Sequence, residues 1–173
     1  MKILYSTFLI IFLFFTNSVH SEQKIAFIDM DKVILKSNSG TSILKQLSDL
    51  NNKNLKFLEN EEKNFKEKET KLISQKNIIS EADFQKKIVE LKSEIKNYNQ
   101  KRNKMIADFN KLKVNNTNKL LKLFNPILVK FSNDKGISII MQKKDLVVAK
   151  SELDITDDVI KIVNAEVQEF KIK

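Results

Sequence analysis

A heptad repeat in the second half of the chain constrains the fold more than any other feature. From Phe84 to Asn116 the steps alternate between four and three residues without a slip, and the stripe continues to Phe131. The positions are Phe84, Ile88, Leu91, Ile95, Tyr98, Arg102, Met105, Phe109, Leu112, Asn116, Leu120, Leu123, Ile127 and Phe131. A strict 3.5-residue period is typical of a helix that packs along a partner in a left-handed supercoil. The stripe therefore predicts a helix from about residue 81 to 133, about 80 Å long at about 1.5 Å per residue.

The preceding segment predicts the partner of this helix. Residues 41–76 contain no Gly or Pro, and apolar residues recur there with a mostly seven-residue spacing. Asn54, Glu61 and Lys68 occupy the intervening seam positions, so the seam of this first helix is only half apolar.

A turn between the two helices is also predicted. Ser80, followed three residues later by Asp83, has the pattern of a capping box that begins the second helix. Residues 37–135 are therefore expected to form one antiparallel helical hairpin, called the arm, with its tip near residues 76–82.

Short apolar runs at both ends of the arm predict a small body with β-strands. Residues 24–29 favour a buried strand, and Gly136 is placed to end the second helix. Residues 137–141 and 146–150 favour two more strands around a turn at 142–145, and a final helix is expected after Thr156. The Asp154-Ile155-Thr156 segment is interpreted as the cap of that helix, with no ligand role.

The predicted fold class is thus mainly α with a small β body. The body, residues 22–36 plus 136–173, is too small to be stable alone without disulfides, metals or partners. Because the chain has no Cys, oligomerisation is the expected source of stability.

The composition argues against an enzyme. The chain has one His, and its two glycines, Gly40 and Gly136, are too far apart to form a phosphate-binding loop. Glutamates at 59, 61, 62, 67 and 69 could supply a carboxylate pair, but a two-helix arm has no walled pocket to raise one pKa. No catalytic residue, metal site or cofactor is expected.

The first 21 residues predict a cleaved signal peptide. Lys2 precedes an apolar run that ends at Phe15, and Val19-His20-Ser21 offers a cleavage site ahead of Glu22. The run is shorter than the roughly 20 residues of a membrane-spanning helix. Cleavage would remove the only His.

Together these segments resemble the Skp/OmpH family of periplasmic chaperones for outer-membrane proteins. The resemblance is carried by the signal peptide, residues 24–29 with Val33, Ser39-Gly40, the Gly136 stop, residues 153–156, Val159-Ile160 and Asn164. It implies a homotrimer in which strands of three subunits form a central body and three arms surround a cavity. It also implies that unfolded outer-membrane proteins are held in that cavity, in the periplasm, without nucleotide.

Two sets of residues are candidates for these roles. The candidate trimer core comprises Ile25, Phe27, Ile137, Ile139, Leu146 and Val148. The candidate client-binding residues are Phe57, Phe65, Leu72, Phe84 and Ile88 in the seam, with Lys76, Lys86 and Lys87 near the tip.

The charge of the arm leaves several interpretations open. Residues 45–112 carry 16 basic and 11 acidic side chains, a net charge of +5. Such a surface can be simply solvated, or it can attract acidic unfolded chains, and anionic lipid or lipopolysaccharide is a further candidate partner. A passive coiled-coil spacer and a nonspecific nucleic-acid-binding protein are the alternatives, but the signal peptide argues against nucleic acid.

Overall fold

A computed structural model describes residues 23–172, so the predicted signal peptide lies outside the described residues. In chain order, the elements are β1 (Lys24–Ile28), α1 (Met30–Lys36), α2 (Asn38–Ser74), α3 (Glu81–Lys135), β2 (Ile137–Gln142), two 3₁₀ turns (Lys143–Asp145 and Ser151–Leu153) and α4 (Thr156–Glu166).

The helices α2 and α3 form an antiparallel hairpin, as the stripe predicts. Residues that come later in α2 contact residues that come earlier in α3: Phe65 lies on Tyr98, and Lys68 is bonded to Glu94. Chain polarity therefore reverses at the turn, and the described part of the chain extends as one long arm from a small body.

Both predicted ends of α3 are confirmed. The Ser80 hydroxyl oxygen accepts a hydrogen bond from the Asp83 amide at 3.1 Å and donates one to the Asp83 carboxylate at 2.6 Å. At the other end Gly136 adopts the left-handed conformation, with φ of 63°, which is accessible to Gly at little cost.

A tight corner joins α1 to α2. Ser37 ends α1 and caps α2, because its hydroxyl accepts a hydrogen bond from the Gly40 amide at 3.2 Å. A Cβ atom on Gly40 would lie 1.9 Å from the carbonyl oxygen of Ile34. The corner therefore requires glycine, which explains the Ser39-Gly40 pair noted in the sequence.

The two strands of the body pair in parallel, and the sequence prediction of a third strand is wrong. β1 pairs with β2 in the register Ile25 to Ile139 and Phe27 to Met141. Residues 146–150 form no strand; the chain turns away through Lys143–Asp145 and returns to β1 at Ser151–Leu153, which is followed by a bridge from Asp154 to Phe27. The Leu-Val-Val run has high strand propensity, but in the described residues it pairs with neither β1 nor β2.

The hydrophobic core lies where the arm meets the body, a region called here the arm root. Side chains from α1, α2, α3, α4 and both strands are buried together there. They include Ala26, Ile28, Val33, Ile43, Leu47, Leu120, Phe124, Ile127, Phe131, Ile137, Val159 and Val163.

The heptad stripe is confirmed in the root at Leu120, Ile127 and Phe131, which are buried, and fails at Leu123. Phe124 is fully buried, whereas Leu123, which the stripe assigned to the seam, is 38 % exposed. At the root α3 packs on α4 and β2 as well as on α2, so its buried face follows the ordinary 3.6-residue period. None of the described helices combines the length and the hydrophobicity needed to cross a membrane.

Candidate functional site

The middle of the arm is held by one aromatic cluster. Tyr98 of α3 is buried, and its ring meets that of Phe65 edge-on with centroids 5.3 Å apart. Its hydroxyl donates a hydrogen bond to Glu62 Oε1 at 2.8 Å. Burial, together with the bond to the Glu62 carboxylate, raises the pKa of Tyr98. The cluster joins the two helices without closing the space around it.

An open cavity of about 610 Å³ lies beside this cluster. Its lining includes Glu61, Phe65, Lys68, Tyr98 and Lys101. Polar and charged groups thus fill a seam that would be apolar in a tightly packed coiled coil. The arm is consequently underpacked at its middle.

The apolar residues predicted to bind clients line the seam and are not a free surface. Phe84 is buried, and Phe57, Phe65, Leu72 and Ile88 are half-buried. The ammonium group of Lys101 lies 4.2 Å from the centroid of the Phe57 ring. These side chains could contact a client only if the helices separated.

The three predicted lysines lie near the tip. Lys76, Lys86 and Lys87 are exposed. Lys87 donates a hydrogen bond to Gln75 Oε1 at 3.1 Å, which ties α3 to the turn. The tip is therefore a basic, solvent-exposed surface.

The sequence reasoning missed a different set of apolar residues that the arm exposes outright. These large aliphatic side chains lie off the heptad stripe, on both helices and at the turn. They are Leu55, Ile73, Ile78, Val89, Ile106 and Val114, and their exposed fractions run from 47 to 79 %. Their position off the stripe was the available signal, because a helix in a two-helix arm can bury only one face.

The outer face of the sheet is also apolar and partly uncovered. Ile25, Ile139 and Met141 are each at least 40 % exposed, and the nearby Val147 and Val148 are almost fully exposed. A recess of about 340 Å³ lies between the sheet and α3 and is lined by Ile28, Leu128, Ile140 and other residues. This face, called the outer sheet face, is defined by Ile25, Phe27, Ile139 and Met141.

The six candidate trimer-core residues divide between two environments. Ile25, Ile139 and Val148 are exposed, and Leu146 is half-buried. Ile137 packs in the chain's own core, and Phe27 is already buried, with the Lys143 ammonium group 5.9 Å from its ring centroid. Ile25 and Ile139 are thus better placed than Ile137 for contact with another chain.

A polar cluster fastens α4 to the sheet. The Thr156 hydroxyl accepts a hydrogen bond from the Asp29 amide at 2.9 Å, and the Asp154 carboxylate accepts bonds from the Thr156 hydroxyl and amide. Burial opposes ionisation of Asp154, but the bonds from Thr156 and from Lys143 outweigh it and lower its pKa. The N-cap residue of α4 is Ile155, which makes no side-chain cap hydrogen bond. The segment nevertheless begins the helix, because Asp154 binds its first amide.

With this geometry in view, comparison with known proteins is decisive. The family profile OmpH, described as "Outer membrane protein (OmpH-like)", matches residues 24–163. The chain belongs to the OmpH-like family. The resemblance inferred from the sequence is therefore confirmed, and the matched region of this OmpH-like chain includes both strands and the whole arm.

Solved structures support the same fold. The crystal structure at 2.83 Å resolution of a proposed outer membrane chaperone (OmpH-like) from Caulobacter crescentus CB15 superimposes with a TM-score of 0.75 at 14 % identity. The alignment covers 87 % of this OmpH-like chain and 89 % of that one. The predicted fold class, helical arms on a small β body, is confirmed. A search of curated proteins found no significant match.

Proposed function

We propose that this OmpH-like protein is an ATP-independent periplasmic holdase, not an enzyme, that keeps unfolded outer-membrane β-barrel proteins soluble between the arms of a homotrimer. One observation carries the proposal: the arm presents exposed aliphatic side chains and a net positive surface along two long helices, away from the core that stabilises the chain. Such a surface can contact many non-native chains weakly, without a pocket for any one sequence.

The trimer is proposed to form through the outer sheet face. An exposed apolar face beside an unpaired strand edge favours association, because both features bury surface or satisfy backbone groups in an assembly. Light scattering on the purified protein is expected to give three times the monomer mass. A stable monomer at micromolar concentration would contradict the trimer.

Two substitutions test which face associates. Ile139→Asp places a charge on an exposed position and is expected to dissociate the trimer while leaving the helices intact, since the charge would be unpaired only in the assembly. Phe27→Asp would also disturb the folded subunit, because Phe27 is buried within the chain. Val114→Asp, at an exposed position of α3 in the arm, serves as a charge-matched control.

Clients are proposed to be recognised by their non-native state, apolar content and acidic balance. Raising salt from low to physiological concentration should slow capture, because exposed charges are screened beyond about 10 Å. A residual apolar component should remain. Client binding that does not respond to salt would contradict the electrostatic contribution to recognition. Added anionic vesicles or lipopolysaccharide test the lipid partner separately.

The deciding experiment is suppression of aggregation of an unfolded outer-membrane β-barrel protein. The protein should keep this client soluble at about one trimer per client, and Ile73→Ser with Ile78→Ser and Val89→Ser should weaken the effect. The control triple Asn60→Ser, Asn77→Ser and Asn99→Ser changes exposed positions of the arm without removing apolar surface. A passive spacer would suppress aggregation in neither form.

A further inference from the structure

A short extended segment after α4 lies against the arm root, and no sequence pattern predicted it. Residues 167–172, called here the strap, contribute Val167, Phe170 and Ile172, which pack against the core, while Lys171 between the last two is exposed. Phe170 and Ile172, on either side of the exposed Lys171, have the two-residue spacing of one face of a β-strand.

The arm contacts the backbone of the strap through one side chain. The Gln46 amide of α2 donates a hydrogen bond from Nε2 to the carbonyl oxygen of Phe170 at 3.0 Å. Its Oε1 accepts a hydrogen bond from the amide of Ile172 at 3.1 Å. One amide side chain thus satisfies a carbonyl and an N–H two residues apart, as a neighbouring strand would. Neither bond depends on the sequence of the strap.

The other arm helix contacts the aromatic ring. The ammonium group of Lys119, on α3, lies 3.9 Å from the centroid of the Phe170 ring, a cation–π geometry. An open recess of about 550 Å³ continues beside the strap and is lined by Ser42, Lys45, Gln46 and Asp49. The arm root therefore holds an extended chain by its backbone, an aromatic ring and an aliphatic side chain two residues later.

We infer that this groove is a binding site for amphipathic β-strand segments and that the strap is its resident, displaceable occupant. The segment that it would accept is extended, with an aromatic residue followed two positions later by an aliphatic one. The identity of the competitor in the cell, an unfolded β-barrel strand, rests on the proposed function. A client strand would displace the strap and be held at the root, while the rest of the client contacts the arm.

The test uses the full chain and a labelled peptide with the sequence of residues 167–172. A strap that occupies its groove nine-tenths of the time weakens the binding of a competitor about ten-fold. Phe170→Ser releases the strap and leaves the groove intact, so this variant should bind the peptide about ten-fold more tightly than the wild type. Lys171→Ser, at the exposed neighbouring position, is the control and should bind like the wild type.

A second variant separates a groove from a merely structural contact. Gln46→Ala also releases the strap but removes the group that binds its backbone, so it should not gain peptide affinity. Gln100→Ala, exposed on α3, is the matched control. Equal gains in Phe170→Ser and Gln46→Ala would place the peptide elsewhere, and no gain in Phe170→Ser would overturn the proposal.

A measurement on the unmutated protein covers the case in which a variant fails to fold. Saturating peptide should accelerate hydrogen exchange at the amide of Ile172, whereas the peptide with Ser in place of both apolar residues should not. Unchanged exchange would contradict displacement. Because no client protein is present, failure of peptide binding leaves the holdase proposal standing, and failure of aggregation suppression leaves the groove standing.

Discussion

The arm root and the outer arm are built from the same two helices but are packed very differently. At the root, Leu120, Phe124 and Ile127 of α3 are at most 6 % exposed. Between residues 50 and 110, by contrast, Phe84 and Tyr98 are the only buried side chains. The root has a core comparable to that of a globular domain, and the outer arm has a single underpacked seam.

The number of elements packed against α3 accounts for this difference in burial. At the root α3 contacts α2, α4 and β2, so the side chains on its inner face are covered from several sides. In the outer arm each helix has one partner and can bury only one stripe. We therefore expect most of the free energy of folding to come from the root, and we expect the two helices of the outer arm to separate more easily and expose apolar surface.

The largest expected effect tests this asymmetry directly. Phe124→Ala removes a fully buried ring at the root and should lower the free energy of unfolding by about 3–5 kcal/mol. Phe65→Ala, in the half-buried seam, should cost about 1 kcal/mol, because less area is lost and the helices can close on the gap. Urea denaturation of both variants measures the ratio. Equal losses would show that the outer arm is as well packed as the root.

Filling the seam with apolar side chains should reduce the difference in packing between the arm root and the outer arm. Replacing Asn54, Glu61 and Lys68 together with Leu is expected to raise the free energy of unfolding by about 2 kcal/mol through added apolar burial. The substitution of Lys68 should contribute least to this gain in stability, because Lys68 is exposed and forms an ion pair with Glu94. The melting temperature should rise and the capture of large clients should fall.

An exposed position on α2 provides a control for the triple substitution. Lys66→Leu lies on the exposed face of α2 and should leave the melting temperature almost unchanged. If the triple variant were more stable and captured large clients as well as the wild type does, the polar seam would be incidental and the arms would act as a rigid cage.

A third prediction concerns the polar cluster that fastens α4 at the root. Asp154→Asn should cost about 1–2 kcal/mol, because the carboxylate accepts two hydrogen bonds from Thr156. The pKa of Asp154 is lowered in the folded state, so its contribution is complete above the unfolded pKa, about 4, and is lost as the pH falls below that value. The stability difference between wild type and Asp154→Asn should therefore shrink in acid. Asp145→Asn, at an exposed site, is the control and should cost little stability at neutral pH.

The smallest effect is expected in the middle of the arm. Tyr98→Phe keeps the ring on Phe65 but removes the hydroxyl bond to Glu62, which should cost at most about 1 kcal/mol. Because the pKa of Tyr98 is raised above its ordinary value of 10.0, the wild type should lose stability as the pH rises past 10, and the variant should lose less. A loss above 2 kcal/mol would mean that this cluster anchors the arm as firmly as the root does.

Local signals predicted the arm well, whereas contacts distant in sequence escaped prediction. The Ser80 cap, the Gly136 stop and the heptad positions depend on neighbours within one or two turns, so the sequence contains them. Whether residues 146–150 form a strand depends on whether another strand is present to pair with them, which no local sequence pattern records. The strap was missed for a similar reason, since its groove is formed by Gln46 and Lys119, far away along the chain.

Of the candidate client-binding residues, the five apolar ones lie in the seam between the helices, as the stripe predicts, and their contact with a client stays a prediction. A stripe identifies the side chains between two helices, and those are the ones that α2 and α3 cover. The exposed aliphatic residues such as Ile78 and Val89 could have been found as apolar residues left over after the stripe was assigned.

The parallel pairing of β1 with β2 imposes an order on folding. β1 is made early, but its partner strand and the Thr156 hydroxyl that accepts from Asp29 are separated from it by the whole arm; Asp29 and Thr156 are 127 positions apart. The hairpin turn at Gln75–Ser80 joins near neighbours, so α2 and α3 can zip from the tip toward the root at low entropic cost. We therefore expect the sheet to close last and β1 to remain exposed until it does, on a chain that has already formed its arm.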